Sequence, residues 1–136
     1  MDGKTLAQLF DMIADDFEGC TWSKETRIEF GNTLIKMAAS VSDKAVCESI
    51  LNALATLVDS KQPVAKGLKL DILTDDMQGF DCQCTEYILE ILSFTGDERY
   101  SGIITECCRR FTSLDAQEYL QELKKRRELY SSTNNY

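Results

Sequence analysis

The sequence of 136 residues contains no histidine. Its absence removes the commonest general base, the commonest metal ligand and the side chain that switches charge near neutral pH. Cys–His and Ser–His nucleophile pairs go with it. Proline occurs once, at Pro63, so few positions force a break in the chain. No apolar run approaches the ~18 residues of a membrane span. The opening MDGKTLAQLF has neither a basic n-region nor a continuous apolar stretch, so no secretion signal and a cytoplasmic location are expected. β-branched residues are sparse and never alternate for long, so no strand is expected, nor a glycine-rich phosphate loop following one. The chain is therefore not expected to be an enzyme or to hold a cofactor.

Helical periodicity is what remains. The clearest stretch is Asp81 to Phe111. Cys84, Tyr87, Ile88, Ile91 and Leu92 share one face of a first helix, and Tyr100, Ile103, Ile104, Cys107, Cys108 and Phe111 share one face of a second. The turn Thr95-Gly96-Asp97 joins them, with Gly96 free to adopt φ > 0 and Asp97 placed to cap the second helix.

Upstream, residues 3–17 read as a helix with Leu6, Leu9, Phe10, Ile13 and Phe17 on one face; Asp15, Asp16 and Glu18 crowd its end. Ser23 is a good N-cap for a helix over 24–39, with Trp22 as a staple residue and Ile28, Leu34, Ile35 and Ala38 as its stripe. Gly31 within it costs ~1 kcal/mol relative to Ala, which a close helix crossing would explain. Ser42 or Asp43 caps a helix over 44–59. Val46, Cys47, Ile50, Leu51, Leu54, Leu57 and Val58 make that the central core helix. Residues 70–77 permit about two turns, drawing on Leu68, Leu70, Ile72, Leu73 and Met77. A last helix over 115–130 begins with Asp115 and Glu118 in a capping-box pattern.

One domain of about seven helices is expected over residues 1–130, with a frayed polar tail at 131–136. It is all-α: a small α-solenoid of about three antiparallel helical hairpins (3–39, 44–77 and 81–111) with a C-terminal capping helix.

Charge is unevenly placed. The net charge is −8, and residues 71–106 alone hold nine acids against Arg99, also −8. Nucleic-acid binding is not expected without clustered Lys and Arg. A basic protein partner is, through electrostatic steering. The candidate contact residues are Asp71, Asp75, Asp76, Gln83, Glu86, Glu90, Asp97 and Glu98. Acidic helical faces are also ordinary solvated surfaces, and the helix dipole alone explains acids near an N-terminus, such as Asp97 and Glu98. Glu86, Glu90, Asp75 and Asp76 have no such explanation.

Cys82, Cys84, Cys107 and Cys108 could be four thiolates for zinc. Zinc knuckles use C-x(2–4)-C pairs on turns, whereas at least three of these cysteines fall inside expected helices. Packing as small hydrophobes is the favoured reading, with a zinc-binding or redox-sensing protein as the alternative.

The run LEILSFTGDERYSGIITECCRRF, preceded by AKGLKLDILTDDM, resembles the HEAT-like immunity proteins of bacterial polymorphic toxin systems. The residues that carry the resemblance are Leu92, Phe94, Gly96, Asp97 and Tyr100 at the turn and Lys66-Gly67-Leu68 upstream. It spans about residues 43–111. It implies a protein that binds a cognate toxin domain and blocks its active site or its access to substrate. A basic toxin such as a nuclease would suit an acidic inhibitor. The alternative within the same fold is a HEAT-like adaptor that scaffolds other proteins.

Overall fold

A computed structural model describes residues 22–60 and 62–133. The helix expected at 3–17, with its acidic end, lies outside the described residues, as do residues 134–136 of the tail. Among the described residues there are six α-helices and no strand: α1 (Lys24–Ser40), α2 (Lys44–Val58), α3 (Asp71–Thr74), α4 (Cys82–Ser93), α5 (Ser101–Arg110) and α6 (Ala116–Thr133).

The helices start where polar side chains can satisfy open backbone N–H groups. Ser23 Oγ accepts from Thr26 N, Asp43 Oδ1 from Val46 N, Asp81 Oδ1 from Cys84 N and Asp115 Oδ1 from Gln117 N. Asp97 accepts from Arg99 N at the start of a 3₁₀ turn, Glu98–Tyr100, that leads into α5.

The core is built on two helices rather than one. In α2 the whole expected stripe from Val46 to Val58 is buried. In α4 the buried set extends beyond that stripe to Thr85, Leu89 and Ser93, so this helix is covered on more than one side. α1 packs on α2, α2 on α4, and α4 on α6; α6 in turn packs on α5. The spatial order is therefore α1–α2–α4–α6–α5. Helices α4 and α5, expected to pair as an antiparallel hairpin, touch each other little, and α6 covers both. α6 is thus an integral layer of the stack.

The expected two-turn helix over 70–77 is a single turn, α3, between two 3₁₀ turns at Ala65–Gly67 and Met77–Gly79. Leu68, Leu70, Leu73 and Met77 are buried, but Ile72 is not. Their spacing fits no one helical face, so burial of the four favours a broken path over a continuous helix. That path lies close against α1. A Cβ on Gly31 would meet Leu68 Cδ2 at 2.7 Å, so the mid-helix glycine marks a close approach of this segment. Asn32 Oδ1 accepts from Lys69 N at 2.8 Å.

Basic side chains tie the layers together by reaching free carbonyls. Arg27 on α1 is buried and donates to Leu57 O near the end of α2 at 2.6 Å. Arg110 donates to the carbonyls of Met77, Gln78 and Phe80, pinning the irregular segment to the end of α5. The last helix runs to Thr133, beyond its expected end, and fully buries Tyr130, which the sequence reading had placed at its margin.

The α4–α5 turn is shaped by α6. Gly96 has φ +64°, a region that favours glycine. A Cβ there would meet Arg127 N at 2.6 Å and Arg126 C at 2.9 Å. The backbone of the turn thus lies directly against the backbone of α6. Arg126 stacks over Phe94 at 4.3 Å and Arg127 pairs with Glu98, fastening α6 on either side of the glycine.

Candidate functional site

The eight expected contact residues fall into separate neighbourhoods. Asp97 caps the 3₁₀ turn and pairs with Arg99 at 3.1 Å. Asp71, at the start of α3, lies within electrostatic reach of the same Arg99 and of Tyr100. Glu98 is paired with Arg127 on α6. Asp75 is exposed at the end of α3. The Asp76 carboxylate closes over Gly79 and lines a cleft shared with Lys44 and Asp81. Gln83 is exposed near the start of α4. Asp97 and Glu98 therefore have structural duties that account for them.

Glu86 and Glu90 are placed differently. They lie one turn apart on α4 and face α6, which brings Glu118 and Glu122 into the same neighbourhood. Asp59, at the end of α2, joins them. Asp59, Glu86 and Glu122 thus gather about Glu90, and Glu118 shares the Tyr119 side of the same face; Arg126 lies among them, and Lys125 lines the recess beside Asp59 and Glu122. Arg126 pairs with Asp59 at 2.9 Å and Glu122 at 2.8 Å. Glu122 and Asp59 take up its hydrogen-bonding capacity together with Ser60 O. Glu86, Glu90 and Glu118 make no ion pair among the described residues.

The electrostatic consequence is visible at Glu90. Burial pushes its carboxyl above the usual range, and the charges of Asp59, Glu86 and Glu122 push it further, against the pull of Arg126. Tyr119 on α6 is also raised, first by burial and then by Glu86. The charge of Glu90 is thus disfavoured by burial first and by neighbouring carboxylates second, and an external cation brought to it would stabilise it. The α4 half of this surface is legible in the sequence; the α6 half is not, because Glu118 and Glu122 lie outside the acidic segment and are followed by four bases, Lys124 to Arg127.

A broad groove of about 1090 Å³ runs between the 74–78 segment and α5. Its guanidinium groups are already engaged: Arg99 with Asp97 and Tyr100, Arg109 with Glu106, and Arg110 with three carbonyls.

The four cysteines weighed as a zinc set do not converge on one point. Cys84 lies against Cys47 of α2. Cys107 is buried in the core, and Cys82 Sγ sits 3.5 Å from Ser113 Oγ. Among the described residues, no group of three or more Cys, Asp or Glu side chains is placed to hold a metal ion. Likewise, no described helix is long and apolar enough to cross a membrane.

No protein-family model, curated protein or solved structure matches this chain.

Proposed function

We propose that this protein is a non-catalytic binder that docks a basic protein on the acidic face between α4 and α6. In keeping with the resemblance of its Leu92–Tyr100 turn, we take that partner to be a toxin domain and the protein to be its immunity factor, acting in the cytoplasm. The observation that carries the reading is the gathering of Asp59, Glu86 and Glu122 about Glu90, with Glu118 beside Tyr119 on the same face, while Arg126 is already paired with Asp59 and Glu122. Such a surface costs stability in the free protein and offers its charge to a partner. Association is steered by the acidic face, and a seated cation occupies the space before Glu86 and Glu90. Inhibition is then steric: the helical stack covers the partner's active-site rim. The HEAT-like aspect of this reading rests on the α1–α2 pair and on the layered row α2–α4–α6, which holds the acidic residues on rigid elements.

Capture from the native host tests the proposal. Immobilised wild-type protein should retain a basic protein, identified by mass spectrometry. The combined Glu86→Ser and Glu118→Ser variant should lose it at physiological salt. Equal retention by both would remove the acidic face from the interface.

A further inference from the structure

Cys47 and Cys84 form a contact that the binding reading does not use. Cys47 lies in the opening turns of α2 and Cys84 in the first turn of α4, and these two helices pack against each other. The two side chains meet across the packing of α2 on α4, and Cys47 Sγ donates to Ala38 O at 3.6 Å. Both residues are nearly inaccessible at their surfaces, at 5% and 3%. Both nevertheless line a cleft of about 230 Å³, together with Lys44, Asp76, Phe80 and Asp81. A small polar oxidant has room there.

We propose that Cys47 and Cys84 are an oxidative modification site, which a peroxide entering this cleft converts to a disulfide bridging α2 and α4. Cys47 is the attacking thiol. The Cys84 hydrogen bond holds it below an ordinary thiol, against burial and the Asp81 charge, and the α2 N-terminus favours the same anion. Its thiolate attacks one peroxide oxygen, the O–O bond breaks and hydroxide leaves, giving a sulfenic acid on Cys47. Oxidation of Cys47 ends its bond with the Cys84 thiol; Cys84, raised until then by that bond and by burial, gives up its proton as its sulfur attacks the sulfenic sulfur. The S–O bond breaks, and the departing hydroxide takes the Cys84 proton as water. Two thiols lose two electrons and two protons, and one peroxide is reduced to two waters. Cys107 and Cys108 are less suited: burial pushes both thiols up, and neither has a thiol donor on its sulfur.

The test uses the full chain, reduced and desalted, then treated with a small excess of hydrogen peroxide. Remaining thiols are alkylated, and the protein is mapped without reduction. The proposal expects the intact mass to fall by two hydrogens, a single cross-linked peptide pair joining Cys47 to Cys84, and full reversal by dithiothreitol. In a Cys84→Ser variant, whose hydroxyl still donates to Cys47 but cannot form the disulfide, Cys47 should instead be trapped as a sulfenic acid by dimedone. Recovery of Cys47 and Cys84 as alkylated thiols, or a disulfide made by any other pair, would overturn it. The wild-type map stands alone as a test even if the variant does not fold.

Discussion

At the scale of single residues, Glu90 carries the clearest electrostatic signature. Its carboxyl is raised by burial and by the neighbouring carboxylates, so the folded state holds a proton that the unfolded chain has already released. Between the ordinary glutamate pKa and the raised value, the folded state binds more protons, and stability falls as pH rises through that window. Glu90→Gln should abolish this slope. The variant and wild type should unfold alike in acid, and the variant should become the more stable as pH rises from the ordinary glutamate pKa through Glu90's raised one, as thermal melts across pH would show. A purely structural residue would not weaken partner binding when replaced in this way, but Glu90→Gln should. Gly96 makes an opposite case. Its positive φ costs another residue about 1–2 kcal/mol, and a Cβ would press on the α6 backbone as well. Gly96→Ala should therefore lower stability by about 2 kcal/mol or more in urea titration.

Among the elements, α6 does most to set the arrangement. It covers α4 and α5, and its Arg126 reaches Asp59, Ser60, Glu122 and the Phe94 ring. Arg126 is largely buried, with a side chain only 13% exposed, so its loss leaves carboxylates without their cation. Arg126→Met should cost about 1–3 kcal/mol, since Asp59 and Glu122 keep access to solvent. Leu123→Ala, in the same helix, should cost about 2–5 kcal/mol through the cavity it leaves. Chemical denaturation would measure both.

The helices themselves were legible in the sequence, because caps and apolar spacing are local signals. Ser23, Asp43, Asp81 and Asp115 mark starts, and the stripe of α2 is buried as its spacing implies. Gly31 was legible as a crossing point, though what approaches is Leu68 from an irregular segment. The neighbour order was not legible. Periodicity says which face of a helix is buried but not what buries it, so the wedge of α6 between α4 and α5 left no local trace. Arg27, Arg110 and Arg126 escaped for a related reason. Their partners are carbonyls and carboxylates some 30 to 67 positions away, and a basic residue in a polar helix reads as solvated surface.

For the whole molecule, the charge excess of residues 71–106 does not form one continuous stripe. Part of it is spent on caps and local pairs at Asp97 and Glu98, and part gathers with α6 carboxylates around Arg126. The second part is the proposed docking face. Its long-range attraction predicts an association rate that falls steeply with added salt over a Debye length of ~8–10 Å at physiological ionic strength. Removing charge from it should slow association and flatten that salt dependence, while dissociation changes less. Carboxylates used elsewhere, such as Asp97, should affect stability more than association rate.

The most direct measurement is the association rate of the captured partner as a function of salt, for wild type and for the Glu86→Ser, Glu118→Ser variant. Both positions are exposed, so the fold should persist. The account predicts association about tenfold slower for the variant at low salt, with a shallower salt dependence. Identical rates and identical salt slopes would contradict the assignment of the α4–α6 face as the binding surface.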